Sequence, residues 1–400
     1  MPAAQKPGRD GRPGRLWWPG SLRCSGGRPW PGWLRRPRRL WWQPLALTLL
    51  LPLLASCSTL RYYWQAADGQ FDMMQRRRPI DALVADPSTS DSLRTRLLLV
   101  QRLRQFAIHD LGLPDNGSYR SYADLARPYV IWNVFAAPAL STSPQAWCFP
   151  IAGCVNYRGY FAESAAREQA ALLQAQGMDV YVGGVPAYST LGWLDDPVLN
   201  TFAHWPEVEL ARLLFHELGH QMAFAPGDTT FNESFATAVE DVGVARWIAH
   251  EQRPELQAAW AASQAHRQGF QRLVLTAQGD LAALYASPVD EDAKREGKTA
   301  RLARLQTEFL ALKAEWGGFP GFDRWFAQPV NNAQLASVAV YTAQVPAFRA
   351  LLAQQHDNLP AFYRQVHRLA AADADTRDAA LRAALCQDSA NPKTSPPCNQ

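Results

Sequence analysis

The stretch LLFHELGHQMAFAPGDTTFNESFATAVED, residues 213–241, restricts what this chain can fold into more than any other. His216 and His220 are four residues apart, so on a helix they share one face, about 6 Å apart at Cβ. That spacing sets two imidazole nitrogens against one ion. Glu217 lies beside them, close enough to touch a bound water but poorly aimed to be a ligand. Pro206 fits a first helical turn, Glu207 and Glu209 favour its positive end, and Leu210, Leu214, Phe215, Leu218 and Met222 give an apolar face. Pro226–Asp228 is a turn. Thr229 or Thr230 can cap a second helix whose inner face is Phe231, Phe235, Ala238 and Val242. Glu233 falls in its first turn, and a second helix folded back antiparallel brings it to the histidines as a third ligand. Two histidines, one carboxylate and an open fourth position are the donors of a catalytic zinc site, so one Zn2+ per chain is expected. The alternative is a helix whose histidines are solvated or bonded to backbone.

The amino-terminal region is of a different kind. Residues 1–40 carry ten Lys and Arg against one acid, and the rest of the chain has 30 bases against 35 acids. The folded part therefore has no basic nucleic-acid footprint, and no nucleic-acid partner is expected. Arg35–Arg39 leads into an apolar run, Leu40–Leu54, broken by Pro44 and Pro52 and short for a membrane span. That is the layout of a secretory signal; an amino-terminal transmembrane anchor is the alternative. Leu54–Cys57, LASC, resembles the lipobox of bacterial lipoproteins. The resemblance implies lipidation of Cys57, membrane attachment through it, and, with Ser58 following, an outer-membrane location facing the periplasm. Each buried acyl methylene would contribute about 0.8 kcal/mol. Four cysteines then remain, spaced as Cys148 with Cys154 and Cys386 with Cys398. Local disulfides and free buried thiols are both open for the first pair.

Periodicity divides the chain into a mixed part and a helical part. A helix is predicted over about Ser92–Leu111, strands at Tyr129–Phe135, near the end of Trp147–Phe161 and at 178–190, and a helix over Ala162–Gln176 that stops at Gly177. From Pro206 onward the pattern is helical. A helix pair spans Leu256–Trp316 around an exposed connection PVDEDAKREGKTAR, and further helices cover Asn332–Tyr341 and Pro346–Ala371. This order favours an α+β fold, mainly helical, with a small sheet on the amino-terminal side. The expected organisation is a basic extension and signal over 1–56, a tether over 57–78, a mixed α/β part with a substrate-side strand over 79–205, a helical part over 206–371 and a tail over 372–400.

NESFATAVE at 232–240 resembles the glutamate helix of gluzincin aminopeptidases. Residue by residue, the resemblance makes Glu233 the third ligand and Glu240 a second acid able to orient a ligating histidine. The twelve residues between His220 and Glu233 are fewer than in thermolysin-like proteins. The metzincin pattern is excluded, because Pro226 stands where its third histidine would be. More narrowly, LASC, CFPIAGCVNYRGYF, VGGVPAYSTLGWLDDPVL, FHELGHQ, FNESFATAVE and NNAQLASVAVYTAQVPAF resemble a family of bacterial lipoproteins described as zinc aminopeptidases, over Cys57 to about Ala371. The resemblance implies a zincin-like metallopeptidase.

In that scheme Glu217 is the general base. Tyr341 is a candidate donor to the oxyanion, or else a tyrosine packed in a bundle. Gly184 and Tyr188, in YVGGVPAYST, are candidates for contact with a peptide backbone. Asp195 and Asp196 can receive a free α-ammonium or simply form a turn before Pro197. Tyr157, Arg158 and Tyr160 are ambiguous, and His250 is a weaker candidate for the oxyanion role, or else a residue that favours the negative end of its helix. The expected activity is that of a zinc aminopeptidase on periplasmic peptides. An endopeptidase or cell-wall peptide hydrolase with the same site, and a non-catalytic lipoprotein scaffold, are the alternatives.

Overall fold

The structure is a computed structural model and describes residues 60–149, 153–339 and 344–388. Cys57, Tyr341 and Cys398, for which roles are expected above, lie outside the described residues. In chain order the elements are α1 (60–75), β1 (Arg78–Pro79), α2 (Ile80–Ala85), α3 (Asp91–His109), β2 (Ser121–Ala123), β3 (Ile131–Pro138), β4 (Trp147–Phe149), β5 (Gly153–Val155), β6 (Arg158–Tyr160), α4 (Glu163–Ala175), β7 (Met178–Val185) and β8 (Val198–Leu199). All later elements are helices: α5 (Glu207–Gly219), α6 (Thr229–Glu251), α7 (Pro254–Ala286), α8 (Glu291–Glu315), α9 (Asp323–Phe326), α10 (Asn332–Ala339), α11 (Val345–Gln354), α12 (Leu359–Ala370) and α13 (Ala374–Asp388). The described chain is thus mostly helical with small sheets, an α+β arrangement. No described helix is long and apolar enough to cross a membrane.

Three small sheets form, ordered β1-β2-β8, β6-β3-β7 and β4-β5. In the second sheet β3 pairs antiparallel with both neighbours, along its whole length with β7. The run IWNVFAAP is nearly all apolar because both of its faces are covered. Trp132, Val134 and Ala136 pack with Ala166 and Ala170 of α4, and Phe135 and Ala137 pack with Ala333 of α10. One apolar core runs from Met73 to Ala384 and takes side chains from both the mixed and the helical parts. The described core lies within one compact unit, Thr59–Gln400, so a chain beginning at Thr59 keeps all of it.

Helix ends differ from the sequence expectation where capping decides them. The charged stretch after Pro288 continues as helix, because Asp290 accepts the Ala293 N–H and Glu291 pairs with Arg295 one turn on; the connection is only residues 287–290. The helix expected over Pro346–Ala371 is two helices. His356 and Asp357 adopt left-handed backbone, Asn358 caps α12 at the Ala361 N–H, and Pro360 sits in its first turn. Part of the expected tail is helix α13, whose Leu381 and Ala384 are buried in the core.

Helices α5 and α6 run antiparallel in close contact. Gly219 lies against Ala236 and Val239, Gly243 against Phe215, and Glu207 accepts from the Trp247 indole at 3.1 Å. At Gly243 a Cβ would stand 2.7 Å from Phe215 and 2.9 Å from Leu111, so a hydrogen is all the contact admits. Gly243→Ala is expected to lower unfolding free energy by about 1–3 kcal/mol through overpacking. Urea denaturation measures it, and a stability equal to the parent's would mean the helices can separate freely.

Candidate metal centre

Helix α5 has no side-chain cap at Pro206, and its hold comes from burial: Val208, Leu210, Leu213, Leu214, Phe215 and Leu218 are all covered. The helix ends at Gly219, and His220 is its C-terminal cap, still helical, with its N–H on the His216 carbonyl at 3.2 Å. His216 and His220 therefore keep one face. Helix α6 is capped by Asp228, whose carboxylate accepts the Phe231 N–H at 3.0 Å, in place of the threonines expected for that role. Asn232 fixes the connection from inside: its side chain accepts the Ala225 N–H at 2.7 Å and donates to the Ala225 carbonyl at 2.9 Å. From outside, Gly153 of β5 presses on the backbone of Gly227, where a Cβ would come within 2.5 Å of the Gly227 nitrogen. The strand pair β4-β5 that carries Gly153 is closed by a Cys148–Cys154 disulfide. Cys386 is disulfide-bonded as well.

These supports bring Glu233 onto the histidines. His216 Nε2 lies 3.2 Å from Glu233 Oε2 and 3.2 Å from His220 Nε2, and His220 Nε2 lies 3.6 Å from the same carboxylate oxygen. Glu240 Oε2 accepts the His216 Nδ1–H at 3.0 Å, which leaves the Nε2 lone pair of that ring facing the other two donors. Three lone pairs so close repel unless positive charge stands among them. Tetrahedral bonds of about 2.1 Å to a small divalent ion separate ligand atoms by about 3.4 Å, so the three groups fit such an ion. Together they form a possible metal-binding triad. Without an ion, a proton can answer the same crowding: burial disfavours a charged His216, yet the hydrogen bonds its ring donates to Glu233 and Glu240 outweigh it and hold the imidazole up at about 10. Burial would raise both carboxyls, but His220 acting on Glu233, Arg212 acting on Glu240, and His216 acting on each hold them at about 2.

Glu240 itself is 2% exposed. It receives Arg212 Nη1 at 3.2 Å and Arg267 Nη1 at 3.1 Å, which makes its burial tolerable. Neither arginine carries a motif that sequence alone would single out. Glu217 points into the same cavity; burial pushes its carboxyl up, with Glu233 and Glu240 adding to the effect and the two imidazoles opposing it.

The cavity has a volume of about 840 Å³. Its floor is the His216, Glu217, His220 and Glu233 group. Its walls come from α1, β3, residues 155–161, residues 185–191, α7 and α11. Tyr157 lines it, with its ring on Phe135 at 5.7 Å. Desolvation, followed by the charges on Glu233 and Glu217, pushes its phenol well above the usual value. Asn133 lines it too, its Oδ1 buried without a hydrogen-bond partner.

The other expected residues are divided. Tyr188 lines the cavity. Gly184 lies in a separate hollow, covered by the Tyr129 ring at a distance that would overlap a Cβ. Asp195 is exposed, and Asp196 is buried, its carboxyl pushed up by burial to about 7 while Oδ2 accepts the Thr190 N–H at 2.9 Å. Neither aspartate lines the cavity. Arg158 lies 4.1 Å over the Tyr62 ring, Tyr160 donates to Gln169 at 3.3 Å, and His250 stacks on Trp247, and none of the three lines the cavity.

The family model described as "Putative aminopeptidase" matches residues 61–381. No curated protein and no solved structure matches the chain. Because Glu240 accepts the Nδ1–H of His216, Glu240→Gln is expected to weaken the triad's hold on an added divalent ion, with Zn2+ as the probe, about 10- to 100-fold. Competition with a chromophoric chelator measures the change, and an unaltered affinity would remove Glu240 from the centre.

Proposed function

This chain belongs to the "Putative aminopeptidase" family, and from that premise we propose that it is a zinc-dependent peptidase of zincin-like, gluzincin type acting on the amino-terminal end of peptides. The observation that carries the proposal is the convergence of His216, His220 and Glu233 on one point, with Glu217 facing the same cavity. A zinc ion there would lower the pKa of a bound water to about 7 and polarise the peptide carbonyl.

The chain's own residues supply the rest. Glu217 takes the proton of the attacking water and passes it to the departing amine; burial, which raises its carboxyl, makes it basic enough to hold that proton in transit. Tyr157 donates its O–H to the carbonyl oxygen as that atom gains negative charge, the role for which Tyr341 is the sequence candidate. Glu240 keeps the Nδ1–H of His216 and prevents the ring from turning. Asn133 Oδ1 offers an acceptor to a peptide N–H. The tether completes the proposal: Cys57 lipidated, the chain held at the outer membrane and facing periplasmic peptides.

One observation favours a second reading, an endopeptidase. Among the described residues, the other two carboxylates on the cavity wall are already paired, Asp228 with Arg377 and Asp241 with Arg349. Neither is free to receive an α-ammonium.

Glu217→Gln should retain about one zinc per chain by elemental analysis and lose turnover of unblocked peptides. Loss of metal as well would mean that Glu217 is structural. Tyr157→Phe should lower kcat about 10²- to 10³-fold with KM little changed. A change confined to KM would make Tyr157 a binding residue only. Comparison of blocked with unblocked peptides decides between the two readings, since cleavage of both is the endopeptidase result.

A further inference from the structure

Helix α1 (60–75) has two faces of opposite use. Its inner face is docked firmly: Met73 is 1% exposed, Gln65 accepts the Phe161 N–H at 3.0 Å, and Tyr62 stacks on Phe149 at 5.6 Å. Tyr62 and Ala66 on that side are part of the cavity wall. The outer face carries Leu60, Trp64 and Phe71, which are 70%, 73% and 62% exposed, with Tyr63 at 42% beside them. At 100° per residue Leu60, Trp64, Ala67 and Phe71 project within about 60° of one another, so they form a single apolar stripe. Large aromatics so exposed along one helix mark an interaction surface rather than ordinary scatter.

We propose that this stripe lies in the surface of a lipid bilayer, with α1 parallel to the membrane plane. Two observations choose lipid over other occupants. The chain before α1 contains the uncharged apolar run Leu40–Leu54, and only residues 55–59 separate that run from the first residue of the stripe. Whether the run stays as an anchor or is replaced by acyl chains on Cys57, the attachment point is within a few residues of α1. The composition also fits: Trp and Tyr with Leu and Phe suit the interfacial zone, where an aromatic ring has one apolar and one wet side. Charge plays little part. Arg61, Arg76 and Arg78 are paired with Glu168, Asp72 and Asp86, and Asp68 is exposed near the stripe. A second copy of the chain is the poorer occupant, because four side chains of one helix fall well short of the about 800 Å² per partner of a stable interface. The inference does not depend on acylation of Cys57 or on the peptidase reading. Its consequence is that the helix forming one wall of the cavity is also the one held at the lipid, so that the cavity is set at a fixed height above the membrane.

The test uses unacylated residues 59–400 and vesicles of phosphatidylethanolamine with phosphatidylglycerol. Co-sedimentation should show binding, and Leu60→Gln/Trp64→Gln/Phe71→Gln should weaken it at least about tenfold with the thermal unfolding midpoint unchanged. Absence of binding by the parent chain, or equal binding by the triple variant, overturns the proposal. Lipid-free self-association in the ultracentrifuge that disappears in the triple variant overturns it as well, and assigns the stripe to a second copy.

Discussion

A buried carboxylate with no access to water must be answered on every side, and Glu240 is answered by Arg212, Arg267 and His216. An ion taken out of water costs several kcal/mol, and loss of any single partner would leave that cost uncompensated. The requirement fixes three helices at once, since the arginines belong to α5 and α7, His216 to α5 and Glu240 to α6. Glu209 extends the same chain of contacts by accepting Arg212 at 2.9 Å and Ser263 at 2.5 Å. The direction of the His216 ring is thus set by ionic bonding in the helical layer rather than by any ion it would bind.

The opposite wall of the cavity is built by different means. There β3 is held between α4 and α10 by apolar packing, and its odd-numbered residues Ile131 and Asn133 turn toward the centre. Tyr157, next to β6, joins them. Donor atoms therefore come from a charged helical layer and substrate-facing groups from a sheet that packs apolar side chains on both faces. The narrow space between the two layers is where burial shifts the Glu217 carboxyl and the Tyr157 phenol upward together.

Local rules made much of this legible in the sequence. The four-residue spacing of His216 and His220, the turn at Pro226–Asp228 and the position of Glu233 early in the next helix need no tertiary information. Apolar periodicity placed several helix starts within a residue or two, as at α3, expected from about Ser92 and found from Asp91, where Ser90 accepts the Leu93 N–H. What stayed hidden depends on distant pairs. Arg212 and Arg267 look like ordinary surface residues until Glu240 is seen between them. Tyr157 was ambiguous because its neighbours Glu233 and Glu217 are far along the chain. Asp195 and Asp196 lie outside the cavity for a similar reason: the turn they form is secured by Thr190 and Arg77. The break between α11 and α12 depends on two residues in left-handed backbone, which no apolar period announces.

The connection between the two metal-site helices has an unusual character. By hydrogen-bond pattern residues 221–228 are a loop, yet Asn232 grips the segment from within and Gly153 meets Gly227 from without. Loops generally accept insertions because they border solvent; in this one only Pro226 and Gly227 are exposed and the residues on either side are held, so added length on either side of that tip would displace the donor set. In a redesign of this chain, the gripped flanks of the connection should be left unchanged, and new sequence directed instead to the turn at 287–290, where α7 meets α8 far along the chain from the donor residues.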